Sequence, residues 1–263
     1  MDHSSPQIPA PVVRERCLRL LSYNMQVGLP TRHYGDYLAG AWRHVLPSAT
    51  RAAQERLERI AELVAPYDFV ALQEADAGSL RTRGVNQLEF LARRAGFAHW
   101  GLSVTRNLHP VARHSLGFLS RLAPERVHEH RLPSRIPGRS ALAVELGAEA
   151  GGLVLMLTHL SLGETARRRQ LDFLGKRVPP DRPFVLIGDL NCGPEDLRRH
   201  GALHAAGLRI HAESPATYPS WRPYRCLDHV LWSPHLRLQK LETLPQTASD
   251  HLPLAAEILV PVP

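Results

Sequence analysis

Apolar residues fall in short runs along this chain, and most of the runs end on a polar residue. Residues 18–24, 69–72, 152–158 and 184–187 have the length and composition of strands. Between the first two, Leu57, Ile60 and Val64 lie on one stripe, which predicts a helix over residues 49–65. Between the other two, Leu171, Leu174 and Val178 align in the same way and predict a helix over 164–178. These are two β-α-β cycles, and they predict two similar sheets. The pieces 116–120, 126–131 and 141–146 are shorter and separated by Pro and Gly, as antiparallel strands joined by turns would be. A last apolar stretch, 252–260, closes the chain. Two mixed sheets packed face to face with helices outside follow from this pattern. Residues 1–14 are polar and Pro-rich and are expected to be a disordered tail, leaving 15–263 as one domain with order starting near Cys17.

Composition changes the picture little. A chain of 263 residues with 44% hydrophobic content can bury one large core. Lys plus Arg exceed Asp plus Glu by 32 to 25, a net charge of +7. Such a balance suits a polyanionic partner (nucleic acid, an anionic membrane surface or a phosphorylated small molecule) and equally suits plain solubility. No apolar run reaches the roughly 20 residues of a transmembrane segment and no basic-then-apolar leader is present, so a cytoplasmic location is expected. Cys17, Cys192 and Cys226 contain no C-x-x-C pair. They argue against a disulfide framework or a cysteine zinc site and are expected to be small buried hydrophobes. No stable protein partner is implied.

The chemistry lies at the strand ends. Four runs finish on a polar group costly to bury without a role: Asn24, Glu74, His159, and Asp189 with Asn191 just beyond. If those strands are neighbours, the four ends meet. Asp228 and the Asp250-His251 pair follow the same rule around an expected last hairpin. Convergent oxygen ligands suit a hard cation, Mg²⁺ or Mn²⁺. Each residue also has a structural reading: Asp189 with Asn191 as an Asx-turn before a helix starting at Pro194, Asp228 with His251 as a buried pair.

The ordered set Ser22-Tyr-Asn24, Leu72-Gln-Glu74, Thr158-His-Leu160, Gly188-Asp-Leu-Asn191, Leu227-Asp-His229 and Ser249-Asp-His251 resembles the endonuclease/exonuclease/phosphatase superfamily of DNase I-like hydrolases. The match runs from about residue 17 to the end. The resemblance implies a four-layer α/β sandwich of two mixed, mostly antiparallel sheets, and divalent-metal-dependent hydrolysis of phosphoester bonds. It further implies Glu74 as principal metal carboxylate, with Asn24 beside it and Asp250 as a further ligand. Asp189 would orient or deprotonate the attacking water, with Asn191 its companion at the scissile phosphate. His159 and His251 would contact the phosphoryl oxygens, and Asp228 would orient His251. Some nucleases carry an acid two positions after the Asn, where this chain has Gln26, so a second acid-rich metal site is not expected. The rival from another class is a catalytically silent module of the same fold that holds nucleic acid or a membrane.

Ser161-Leu-Gly-Glu164 reads as a capping box for the helix after His159. Arg167, Arg168 and Arg169 follow, and such a run reads first as a solvated helix face. His200 and His204 share a helical spacing but lack a third ligand, and are expected at the surface. The loop 214–224 carries Tyr218, Trp221 and Tyr224, with Trp221 the candidate to lie against a substrate. Basic segments 32–44, 81–87 and 106–114 are the candidate substrate loops, with Arg106, His114 and the turn arginine Arg139 the candidate contacts. Nothing in the chain chooses among DNA, RNA, phospholipid and small phosphorylated substrates.

Overall fold

The computed structural model describes residues 14–26, 51–108, 110–134 and 138–263; the tail 1–13 and the segment 32–44 lie outside the described residues. One sheet contains β1 (Arg14–Asn24), β2 (Phe69–Asp76), β3 (His99–Leu108), β4 (Ala112–Ser120), β11 (Arg237–Thr243) and β12 (Leu254–Val262), in the order β11-β12-β1-β2-β4-β3. The other contains β5 (Pro124–Arg131), β6 (Ser140–Leu146), β7 (Val154–His159), β8 (Phe184–Asp189), β9 (Arg209–Ile210) and β10 (Asp228–Trp232), in the order β5-β6-β7-β8-β10-β9. Each sheet has a central parallel pair, β1 with β2 and β7 with β8, flanked by antiparallel strands. The two cycles read from the sequence are these two pairs.

Period-two alternation sorts each central strand between two cores. Leu18, Leu20, Phe69, Ala71, Leu155, Leu157, Val185 and Ile187 point between the sheets. Their neighbours Leu21, Val70 and Leu72 point outward under α1 (Arg51–Val64) and α2 (Gln87–Ala95), against Ile60, Val64, Leu88 and Leu91. On the other side Met156 and Leu186 pack under α3 (Glu164–Gly175), α4 (Pro194–Arg198) and α5 (Gly201–Ala205), against Leu171, Leu174, Leu197 and Leu203. Helices, sheet, sheet and helices make four layers, as the patterning predicts. Strands buried on both faces read as unbroken apolar runs, which is why these were the legible ones.

Several expectations are corrected. Arg14, Glu15 and Arg16, upstream of Cys17, are already in β1, because they pair with Val262, Pro261 and Val260 of β12. Cys17 is consequently exposed on that strand and Cys226 partly so; only Cys192 is buried. Asp228 and Asp250-His251 do not share a hairpin: Asp228 opens β10 in one sheet, whereas β12 pairs with β11 in the other. The helix after His159 does start at Glu164, but its N-cap is Gly163 without a side-chain cap. Ser161 is instead held by Gln170, whose Oε1 accepts from the Ser161 N–H at 2.9 Å and whose Nε2 donates to Ser161 Oγ at 3.0 Å. His204 is exposed, but His200 precedes α5 with its side chain only 9% exposed, 3.6 Å from Asp172. Among the described residues no helix is long and apolar enough to cross a membrane.

Candidate active site

Strand register brings the predicted ends together. His159 is the pairing partner of Asp189 across the parallel β7–β8 pair, and Asp228 is the partner of Asp189 across β8–β10. Asn24 reaches over from the other sheet and donates from Nδ2 to Asp189 Oδ2 at 3.1 Å. Glu74 gets there by a different device. The β2–β4 register shifts between Leu72 and Ala75, and Glu74 sits in that bulge with φ 56°, a conformation a non-glycine residue adopts only where the surroundings hold it. The bulge turns Glu74 toward His159, with Oε1 3.8 Å from Nδ1. Just beyond, Asp76 is locked by three donors, the Gly78 N–H at 2.9 Å, Ser79 Oγ at 2.8 Å and Arg81 Nη2 at 3.2 Å, with both ion-pair side chains fully buried.

Asp189 is the hub. Oδ1 accepts the Asn191 N–H at 2.9 Å, an Asx-turn that Asn191 completes with φ 53°. Asn191 Nδ2 donates to the Leu160 carbonyl at 2.9 Å, so this residue braces Asp189 and ties it to the end of β7. Oδ2 lies 3.4 Å from His159 Nε2 and 3.8 Å from His251 Nε2. The other nitrogen of His251, Nδ1, is 2.7 Å from Asp228 Oδ2. His251 therefore stands between two carboxylates that register would otherwise set against each other. Ser249 fixes this loop to the first sheet, with Oγ donating to the Asn24 carbonyl at 2.6 Å. Tyr218 covers His251, ring centres 5.1 Å apart.

The electrostatics separate the two histidines. Burial pulls both imidazoliums down. For His251 the charges of Asp228 and Asp189, the hydrogen bond with Asp228 and the charge of Asp250 overcome it and raise the pKa to about 10. His159 has no such compensation: burial, then Arg139, His251 and His114, hold it well below the ordinary value. The surroundings thus favour the charged form of His251 and the neutral form of His159. Burial raises Asp189, opposed chiefly by His251. Glu74, surrounded by protein although 32% of its side chain opens to the cleft, is raised by burial and then by Asp250. Burial also raises Asp250. Two carboxylates of raised basicity, one of them raised in part by the other and open to solvent, fit a divalent cation. A second cluster, Asp189, Asp228 and His251, has ligand atoms within 4.8 Å of one another, and Asp228 Oδ1 is buried without a hydrogen-bond partner among the described residues.

A cleft of about 1190 Å³ opens from Glu74 and His159; Arg106, His114, Arg139, Ser161, Leu162 and Arg169 are among its walls. Three predicted contacts thus line it. Trp221 does not, and the aromatic that reaches the centre from its loop is Tyr218. The arginine run is divided: Arg167 Nη1 donates to the Leu162 carbonyl at 2.7 Å, Arg168 lies 3.9 Å from Glu164, and Arg169 faces the cleft. The Asp76–Arg81 lock was missed, since nothing in Asp76 or Arg81 as sequence distinguishes them from loop charges.

The two-sheet sandwich with a buried acid–histidine centre at its strand ends is the arrangement that the sequence resemblance implies. The sequence profile of the Endonuclease/Exonuclease/phosphatase family matches residues 21–251, and the chain belongs to that family. No curated protein matches it in sequence. Similar solved structures include an endonuclease/exonuclease/phosphatase from Beutenbergia cavernae (TM-score 0.73, 21% identity, 94% of this chain and 72% of that one). The human Nocturnin catalytic domain with a bound sulfate anion has a TM-score of 0.69 at 20% identity over 97% and 99% of the two chains. A mannosyl-6-phosphatase from Bacteroides thetaiotaomicron has a TM-score of 0.65 at 17% identity over 92% and 99%. At these identities the likeness is one of fold.

Proposed function

We propose that this chain hydrolyses phosphoester bonds by in-line attack of a water held at Asp189, with a divalent cation, Mg²⁺ or Mn²⁺, at Glu74, Asp250 and Asn24. The observation that carries this reading is the position of Asp189: a buried carboxylate fixed by Asn24 and the Asn191 N–H, 3.4 Å from His159 Nε2 and 3.8 Å from His251 Nε2, with burial raising its basicity. A carboxylate of raised basicity accepts a proton from water more readily than a solvated one. Asn24 and the Asn191 N–H fix its two oxygens, which aims the remaining lone pairs. His251, held charged by Asp228, neutralises the phosphoryl oxygens as the phosphorus becomes pentavalent. His159, neutral, contributes a directional hydrogen bond there. Held by Glu74, Asp250 and Asn24, the cation would supply Lewis-acid polarisation of the phosphoryl group.

Asp189→Ala is expected to lower kcat on bis-p-nitrophenyl phosphate or p-nitrophenyl phosphate at least ~10³-fold while the far-UV circular dichroism stays unchanged. Wild-type-like turnover in that metal-loaded variant would remove Asp189 from the mechanism. A second reading puts the ion in the Asp189–Asp228–His251 cluster, favoured by the unpartnered Asp228 Oδ1. Against it, the 2.7 Å hydrogen bond already commits His251 Nδ1 to Asp228. The same phosphoester chemistry on nucleic acid, lipid or small-molecule substrates fits this centre.

A further inference from the structure

The wall of the cleft beyond the reaction centre is built from arginines that the proposed mechanism does not use. β3 shifts register against β4 between Val104 and Arg106, at the height where β2 bulges to present Glu74. The Gly138-Arg139 turn lies directly on that shift. Gly138 has φ 110°, and a Cβ there would stand 2.7 Å from the Thr105 carbonyl and 3.6 Å from Arg106 Cβ. Only glycine lets the turn come so close, and the approach sets Arg139 beside Arg106. The two guanidiniums repel: Arg106 is among the groups that lower the Arg139 pKa, after burial. At Arg139 that repulsion is opposed by Glu74 and Asp189, whereas among the described residues the Arg106 guanidinium makes no hydrogen bond or ion pair. Arg139 is attracted toward Glu74 and Asp189, whereas Arg106 stands farther out and Arg169 lines the cleft from α3. Like charges brought together at a cleft wall, with the backbone shaped to permit it, are the signature of a site completed by an anion.

We infer that the cleft holds a second phosphate of the substrate, bound by Arg106 and Arg169 with Arg139 between it and the scissile phosphoryl group. This rests on the phosphoester-hydrolase reading and narrows it to substrates bearing two phosphates. The second phosphate belongs either to a small bisphosphorylated molecule or to the next residue of a nucleic-acid strand; the recognition chemistry is the same.

Binding tests it apart from turnover. Calorimetry with EDTA present compares thymidine 3′,5′-bisphosphate with thymidine 5′-monophosphate. The wild type is expected to bind the bisphosphate about 10-fold or more tightly, the worth of charge-assisted hydrogen bonds to one extra phosphate. In the double variant Arg106→Ala/Arg169→Ala that ratio falls toward one, while in Arg168→Ala, whose charge is turned to Glu164, it stays. Equal binding of the two nucleotides by the wild type, or an unchanged ratio in the double variant, overturns the second site. Hydrolysis of p-nitrophenyl phosphate and its bis ester is read separately, so loss of the catalytic reading is seen by itself. Oligothymidylates of two, four and eight residues distinguish the sources: affinity that levels off at the second phosphate means a small substrate, and affinity that keeps rising means a strand.

Discussion

Gly188 shows how much of this site depends on a single missing side chain. It precedes Asp189 with φ 142°, and a Cβ there would lie 2.0 Å from the Thr158 carbonyl of the neighbouring strand. Gly188→Ala is expected to cost about 3 kcal/mol or more, from forced dihedrals and a backbone clash together, lowering Tm by roughly 10 °C for a chain of this size. Thermal unfolding within 2 °C of wild type would show the strand can give way. Arg81 is a second case. Removing it with Arg81→Ala strands the Asp76 carboxylate in the interior, at about 3 to 5 kcal/mol; a denaturation midpoint unmoved in urea would contradict that. Glu145 gives a pH-dependent example away from the centre. Its hydrogen bond from Arg182 Nη1, 2.7 Å, holds its pKa below the ordinary value against the effect of burial. Its stabilisation is then full above the unfolded pKa of about 4.3 and is lost as pH falls through the lower folded pKa. The stability difference between wild type and Glu145→Gln should be present above pH 5 and shrink in acid below it; a difference that grows in acid has the wrong sign. At this scale the sequence was legible where a polar residue ended an apolar run, as at Asn24, Glu74, His159 and Asp189. It was silent where two ordinary-looking charges, Asp76 and Arg81, are made special only by burial.

At the scale of elements, most doubly buried strands were readable and most half-exposed ones were not, although β5, exposed along most of its length, was read from the turns around it and β10, buried throughout, was not. β3 and β11 have mostly intermediate or exposed positions, so their patterns lack the contrast that marked β7 and β8. The start of α3 was placed correctly for an incorrect reason, because a serine three residues before a glutamate fits a capping box whether or not the chain folds it that way. Gln170, nearly two turns into the helix, does the fixing instead. Gln170→Ala is expected to destabilise by about 1 to 3 kcal/mol, since the Ser161 N–H then loses its acceptor in a partly buried place. It should also loosen the 161–166 wall of the cleft, raising KM more than it lowers kcat. A stability loss with KM untouched would confine Gln170 to the fold. The Glu74 bulge belongs here too: no pattern of residues announces φ 56°, and it appears only once β2, β4 and the Asp76 lock are assembled.

Across the whole molecule the proposed labour divides along the seam between the sheets. Asn24 on β1, Glu74 on β2 and Asp250 before β12, the proposed cation ligands, belong to one sheet, whereas His159, Asp189, Asn191 and Asp228 belong to β7, β8 and β10 of the other or the turn beyond. His251 crosses the seam, carried by the loop into β12 but bonded to Asp228 of the opposite sheet. The pseudo-repeat seen in the apolar pattern therefore yields two different half-sites, and each motif is uninformative until the sheets are stacked. Substitutions on the two sides should accordingly fail in different ways. Glu74→Gln is expected to weaken Mn²⁺ binding, read by electron paramagnetic resonance, by about 10- to 100-fold. The stabilisation that saturating metal gives the wild type, about 2.7 kcal/mol at one hundred times Kd, should shrink with it. Asp228→Asn and His251→Asn should leave Mn²⁺ affinity within a few-fold of wild type and lose kcat instead, because they remove the charge that meets the phosphoryl oxygens rather than the cation's ligands. Should these two variants lose Mn²⁺ as severely as Glu74→Gln, the ion sits in the Asp189–Asp228–His251 cluster, and the seam divides binding from catalysis in a different place.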